Sequence, residues 1–148
     1  MTPNLSRRQF GTLALTFTYI LISSAGGGVA IGRGLPAEFL GFSSESEIWV
    51  DFLVGGGTAM SPPVVYLVLI ATVAVASFRA DRIGRMATLL LAALVALNVI
   101  GQLLEPITWR SIAPDTFDLQ TASISVLMTV VPALLAVVAF AEYRARGR

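Results

Sequence analysis

Four long stretches without a charged residue in their interior restrict what this chain can fold into. They cover residues 10–31, 62–78, 86–104 and 119–141. A helix needs about 20 mostly apolar residues to cross the hydrocarbon core of a bilayer. A helix of a soluble bundle would show a polar stripe every three or four residues, and the second stretch has none. The sequence therefore predicts an all-α fold, an integral membrane four-helix bundle formed by a single domain over residues 1–148.

Composition supports this class and removes several kinds of chemistry. Hydrophobic residues make up 55% of the chain and charged residues only 13%, whereas soluble domains have about 25% charged residues. Cysteine and histidine are absent, which excludes disulfides, thiol chemistry and sites built on imidazole. We expect no metal site and no cofactor. The net charge of +1 gives no field that attracts nucleic acid. All ten basic residues are arginine, which hints at a GC-rich, prokaryotic genome.

The positions of the arginines predict the orientation of the four helices. Eight of the ten precede the first stretch, lie between the second and third, or follow the fourth: Arg7, Arg8, Arg79, Arg82, Arg85, Arg144, Arg146 and Arg148. If the helices alternate in direction, these eight share one side, and only Arg33 and Arg110 lie on the other. The arginine-rich side is cytoplasmic by the positive-inside rule. We expect a multi-pass plasma-membrane protein with both termini in the cytoplasm.

The N-terminal segment allows two interpretations. Residues 6–10, SRRQF, resemble the core of a twin-arginine export signal, and Ser23-Ser24-Ala25 has the small residues of a cleavage site. That resemblance implies that about the first 25 residues are removed. The uncharged run, however, continues to Ile31 and is long enough to span a membrane, and three further stretches follow. We expect the first helix to be retained, with cleavage as the alternative.

The first outer loop, residues 32–61, contains the segment SSESEIWVDFLV. Ser44 and Glu47 have the S-x-x-E spacing of a capping box. The next residues place large apolar side chains on one helical face, away from Asp51; they are Ile48, Trp49, Phe52 and Leu53. The pattern predicts a short amphipathic helix in this first extracytoplasmic loop. A strand-like segment is the alternative, since several of these residues also suit β structure.

Glycine and proline residues lie at both ends of the first outer loop. Glycine triplets at residues 26–28 and 55–57 lack the lysine of a phosphate-binding loop. We expect them to end one span and join it flexibly to the next. Ser61-Pro62-Pro63 has the pattern of a helix start, with Ser61 as the N-cap and Pro62 in the first turn.

One group of polar residues stands out in the third stretch. Asn98, Gln102 and Glu105 are spaced i, i+4 and i+7 and therefore lie on one helical face. Tyr19, Tyr66 and Trp109 lie in the outer halves of the first two stretches and in the second outer loop. Together these six residues predict an outward-facing polar pocket that binds a ligand.

A structural role is the alternative for the same residues. Hydrogen bonds between membrane helices contribute about 0.6 kcal/mol on average and need no ligand. Glu105 would then be an exposed acid at a helix end, paired with Arg110.

Three functions remain open from the sequence. The favoured one is a non-catalytic accessory subunit, or a binder of a lipid or small hydrophobic ligand, in contact with a partner membrane protein or with further copies of itself. A transporter or channel component would have to oligomerise to enclose a path. An isomerase-type intramembrane enzyme would use Glu105 as its acid–base group. The architecture resembles that of small four-span proteins such as DoxX-like modules, at the level of fold alone, and fold does not give function.

Overall fold

The computed structural model describes residues 7–39, 42–43 and 47–147. Six α-helices account for most of this part of the chain: α1 (Arg7–Arg33), α2 (Ile48–Leu53), α3 (Val64–Ala76), α4 (Arg82–Leu104), α5 (Pro106–Arg110) and α6 (Leu119–Ala145). A two-residue hairpin pairs β1 (Glu38–Phe39) with β2 (Phe42–Ser43), and a 3₁₀ turn occupies Pro114–Thr116. The predicted all-helical class is confirmed.

Three of these helices are long and apolar enough to cross a membrane: α1, α4 and α6. They correspond to the first, third and fourth stretches of the sequence. The second stretch forms only α3, whose 13 residues measure about 20 Å at 1.5 Å per residue. Pro62 and Pro63 stand outside α3, and its helix begins at Val64. The three long helices are those expected of a membrane protein.

The helix caps differ from those that the sequence predicted. Asp81 caps α4, where its carboxylate accepts a hydrogen bond from the Gly84 N–H at 3.0 Å. The prediction that Ser61 caps α3 is wrong. Pro63 is the N-cap, and the Ser61 hydroxyl donates to the carbonyl of Pro62 at 2.9 Å. The predicted cap residue of α2, Ser44, lies outside the described residues.

The core of the bundle lies between the long helices. Helix α6 packs against both α1 and α4, and α3 packs mainly on α4. Large, fully buried apolar side chains of these four helices form the core, and Met60 of the first loop is buried as completely; the helix residues are Tyr19, Ile70, Leu91, Val95, Met128 and Leu135. Large apolar side chains also cover the outside, including Phe17, Val75, Leu97 and Val137. Soluble monomers rarely expose apolar patches of this extent, so lipid suits this surface.

The first glycine triplet has a different role from the one its sequence predicts. Residues 26–28 lie inside α1, which continues to Arg33. A Cβ on Gly26 would lie 2.3 Å from the carbonyl oxygen of Met60, and one on Gly27 would lie 2.3 Å from the Phe52 ring. The glycines therefore let the first loop pack directly on the helix. Gly57 has a φ of 90°, and a Cβ there would lie 2.4 Å from the Ser61 carbonyl oxygen, so this position also favours glycine.

Candidate ligand-binding site at the loop end of the bundle

A cavity opens at the end of the bundle where α4 finishes. We call this the loop end; its described residues fall within 34–63 and 105–118. The cavity has a volume of about 300 Å³, the lower limit of typical ligand pockets, which span roughly 300–1,000 Å³. Its wall is formed by the end of α4, the start of α3 and the first loop, and includes Thr58, Tyr66, Leu97, Asn98, Gln102 and Glu105. Four of the six predicted site residues line this loop-end cavity.

Among the residues that line this cavity, Asn98 has a buried polar atom without a partner. Its amide oxygen is buried and has no hydrogen-bond partner among the described residues. A buried polar atom left without a partner costs about 1–3 kcal/mol. Because Asn98 lines the cavity, a donor on a bound molecule can supply the missing bond.

Gln102 has mainly a structural contact. Its amide nitrogen donates to the Thr108 hydroxyl at 2.7 Å, and that hydroxyl donates in turn to the Gln102 carbonyl at 2.8 Å. All of these groups are buried. The pair holds α5 against the end of α4, so this part of the predicted face bonds within the protein, as the structural alternative expects.

Glu105 is buried, with only 7% of its surface exposed. Its carboxylate accepts a hydrogen bond from the Glu38 N–H at 2.7 Å. Burial is the main cause that raises the pKa of Glu105 to about 7; the Glu38 N–H and the charge of Arg110 act against it. The structural alternative made Glu105 an exposed acid paired with Arg110; Glu105 is instead buried, and Arg110 lies 3.4 Å from the carboxylate of Glu38. Glu105 therefore gains and loses a proton near neutral pH.

The three predicted aromatic residues lie in different parts of the structure. The Tyr66 hydroxyl donates to the carbonyl of Leu94 at 2.6 Å, and the side chain lines the cavity. Tyr19 is fully buried in the apolar core and lies outside the cavity wall. Trp109 is 54% exposed, and its indole N–H donates to the Leu103 carbonyl at 2.8 Å. Only Tyr66 of the three lies at the site.

The first loop supplies a wall that the sequence did not predict. Thr58 and Ser61 pair across a turn, with Thr58 N–H donating to the Ser61 carbonyl at 2.8 Å. Both residues are buried and line the cavity. The signal available in the sequence was the second glycine triplet, because Gly57 directly precedes this turn with a positive φ and lies close to the Ser61 carbonyl.

The residues of the site limit what it can bind and which reactions it can support. Among residues 7–39, 42–43 and 47–147, no group of three acidic, cysteine or histidine residues is placed to hold a metal ion. Comparison with protein-family models, curated protein sequences and solved structures finds no match to this chain. What the loop-end cavity offers is one unpartnered acceptor, one carboxyl group that titrates near neutrality and a largely apolar wall.

Proposed function

We infer that this is a four-span plasma-membrane protein whose loop end faces outward and binds a small amphipathic ligand, either a lipid or another small hydrophobic molecule. The observation that carries the proposal is the unpartnered amide oxygen of Asn98 in a cavity of about 300 Å³. Buried acceptors in proteins usually have a hydrogen-bond partner, and a donor on a bound molecule would supply one here.

The orientation is supported by charge. The residues before α1, those between α3 and α4 and those after α6 carry eight of the ten arginines, and such residues mark the cytoplasmic side. Helix α3 is the additional span beside α1, α4 and α6. An even number of spans is required if both ends of the chain are cytoplasmic. The loop-end cavity then opens to the outer leaflet.

Helix α2 is proposed as the amphipathic helix of the first outer loop. Trp49, Val50 and Leu53 are exposed, while Asp51 on the same helix is 5% exposed. The apolar side chains thus point away from the protein and suit the interface between headgroups and acyl chains. In this arrangement α2 lies on the outer membrane surface beside the cavity.

The cavity wall defines the chemistry of the ligand. Leu97, Pro62 and Pro63 provide apolar contact, so the body of the molecule is apolar. The Asn98 oxygen requires a hydroxyl or N–H donor. Glu105 in its protonated form can donate to a ligand oxygen, and in its ionised form it accepts. A single polar end, such as a hydroxyl beside a carbonyl, fits these groups.

Native mass spectrometry of the full chain, extracted gently from its own membrane, tests the proposal. We expect a retained small molecule or lipid that is lost in Asn98→Leu and kept in Thr72→Val. Thr72 is a matched control because it is exposed on α3, away from the cavity wall, and its hydroxyl bonds only to the Val68 carbonyl of its own helix. A bare monomer, or a ligand retained equally by both variants, contradicts binding in the cavity.

The same spectrum tests the accessory-subunit role. A second protein chain that stays bound in both variants, without a small molecule, would support a protein partner in place of a ligand. A mass that corresponds to two or more copies of this chain would support a homo-oligomer.

Glu105 favours a second candidate function, acid–base catalysis on a bound substrate. A carboxyl group with a pKa of about 7 both gives and takes protons near neutral pH, which a general acid–base group needs. Incubation of the retained molecule with the protein in heavy water distinguishes the two roles. An isomerase exchanges a carbon-bound proton and raises the mass of the molecule, and Glu105→Gln abolishes this exchange. A binder leaves the mass unchanged.

A further inference from the structure

A second, larger cavity lies at the opposite end of the bundle. It has a volume of about 720 Å³ and is bounded by the start of α1, the start of α4 and the end of α6. We call this end, residues 77–85 and 142–147, the arginine end, and the cavity the arginine pocket. Its polar lining consists of Gln9, Asp81, Arg82, Arg85, Glu142 and Arg146.

The two carboxylates in this lining are already bonded. Asp81 accepts from the guanidinium of Arg79 at 2.7 Å and from the Gly84 N–H at 3.0 Å. The hydrogen bond from Arg79 is the main cause that lowers the pKa of Asp81 to about 2, so Asp81 stays ionised and its charge is balanced.

Glu142 is buried and likewise engaged. It accepts from the Thr12 hydroxyl of α1 at 3.1 Å and forms an ion pair with Arg146. The second nitrogen of Arg146 donates to the carbonyl of Arg79 at 3.1 Å. Neither acid of the lining is therefore available to balance a further arginine.

Two arginines of the lining have no such balance. Within the described part of the chain, neither Arg82 nor Arg85 forms an ion pair with a carboxylate. Arg85 lies over the ring of Tyr143, 4.8 Å from its centre. The Nε of Arg85 is buried and has no hydrogen-bond partner among the described residues. The pocket thus holds excess positive charge and an unpartnered donor.

These features fit a phosphate group. A guanidinium presents its donors in a fork that matches two oxygens of a phosphate, and basic pockets between membrane helices on the cytoplasmic side bind anionic lipid headgroups. We propose that the arginine pocket binds a phosphate-bearing anion, held by Arg82 and Arg85. Its source is either the headgroup of an anionic phospholipid or phosphate from solution. This inference does not depend on a ligand at the loop end.

The first probe is phosphatidylglycerol. The full-length protein is reconstituted in vesicles of phosphatidylcholine with a minor share of phosphatidylglycerol, extracted again, and its bound lipids are counted by native mass spectrometry. We expect phosphatidylglycerol to be enriched on the wild-type chain. Each of Arg82→Gln and Arg85→Gln should lower its apparent affinity about fivefold, which corresponds to about 1 kcal/mol per arginine near an anionic lipid.

Arg144→Gln is the matched control. Arg144 lies near the end of α6, is exposed and does not line the pocket, yet its loss changes the net charge equally. We expect it to retain the wild-type lipid. Equal losses in all three variants would mean a general attraction to surface charge and overturn the proposal. Arg82 is also exposed, so Arg82→Gln should fold even if Arg85→Gln does not.

The second probe is inorganic phosphate, added to the detergent-solubilised protein without phospholipid. A rise in melting temperature for the wild type but not for Arg82→Gln, with no enrichment of phosphatidylglycerol, identifies phosphate from solution as the source. Enrichment of the lipid identifies the headgroup. If neither probe distinguishes the wild type from either pocket variant, the pocket does not bind phosphate.

Discussion

The two ends of the bundle each contain a buried glutamate, and the surroundings of the two differ. At the arginine end, Glu142 is paired with Arg146 and accepts from Thr12. At the loop end, Glu105 accepts from the backbone of Glu38, and Arg110 is directed to Glu38 instead. Two carboxyl groups that are both buried can therefore differ in the groups that bond to them. At the loop end, burial raises the pKa of Glu105 to about 7.

The largest effect is expected from removing the paired glutamate. Glu142→Ala leaves the Arg146 guanidinium, whose side chain is 20% exposed, without its carboxylate. Breaking a buried pair costs 3–5 kcal/mol, and the partial exposure of Arg146 places this case near about 3 kcal/mol. Unfolding in mixed detergent micelles, followed by circular dichroism, measures the loss. A change below about 1 kcal/mol would mean that the pair at the arginine end is as weak as a surface pair.

The loop-end glutamate should make stability fall as the pH rises. The pKa of Glu105 is about 7 in the folded chain against an ordinary value of 4.5, so the folded state binds the proton more tightly than the unfolded state. Stability from this group is therefore full below about pH 4.5, falls as the pH rises to about 7, and is then constant. The fall is at most about 3 kcal/mol, since one pKa unit corresponds to 1.36 kcal/mol.

Glu105→Gln serves as the control for that prediction. The amide does not titrate, so the variant should lose this fall between pH 4.5 and 7 and be more stable than the wild type above pH 7. A wild-type curve that rises over this interval, or a variant with the same fall, would assign the titration to a group other than Glu105.

Two glycines of the first triplet in α1 test whether the first loop packs on this helix. Gly26→Ala should lower the free energy of unfolding by about 2 kcal/mol, because the new Cβ meets the Met60 carbonyl, a backbone atom. Gly28→Ala meets nothing within 4 Å and should raise stability by up to about 1 kcal/mol through helix propensity. Thermal unfolding of both variants measures the difference. Equal effects would show that the first loop does not pack on α1.

The smallest effect is expected at the exposed ion pair between Arg33 and Asp118. Both side chains are more than one third exposed. Asp118 also caps α6, and Asn keeps that cap. Asp118→Asn should therefore change stability by less than about 1 kcal/mol, and the change should shrink as salt is added. A larger, salt-independent loss would mean that this pair stabilises the fold as strongly as the pair of Glu142 and Arg146 at the other end of α6.

Local patterns in the sequence predicted the parts of the fold that depend on near neighbours. Hydropathy located the three long helices because the length and apolar character of a helix depend on its own residues. The i, i+4, i+7 spacing placed Asn98, Gln102 and Glu105 at one cavity for the same reason. The short length of α3 was missed because the apolar run of residues 62–78 includes two prolines that lie outside the helix.

Those local patterns could not predict contacts between residues that are far apart in the sequence. Thr12 and Glu142 are 130 positions apart, and the sequence treated the arginines around them only as markers of orientation. Asp51 was expected to face away from one apolar side of α2; in the structure Asp51 is buried, Trp49 and Leu53 are exposed, and the Phe52 ring lies against Gly27 of α1. The arginine pocket arises from three segments that only the folded bundle brings together.

The short helix α3 has a consequence for the surrounding bilayer. In the proposed four-span arrangement its 13 residues extend about 20 Å, whereas an average hydrocarbon core is about 30 Å thick. Such hydrophobic mismatch is relieved when the bilayer thins beside the short helix. Acyl chains next to α3 should then be compressed, and lipids with shorter tails should collect there. The protein would favour thinner membranes, independently of what either cavity binds.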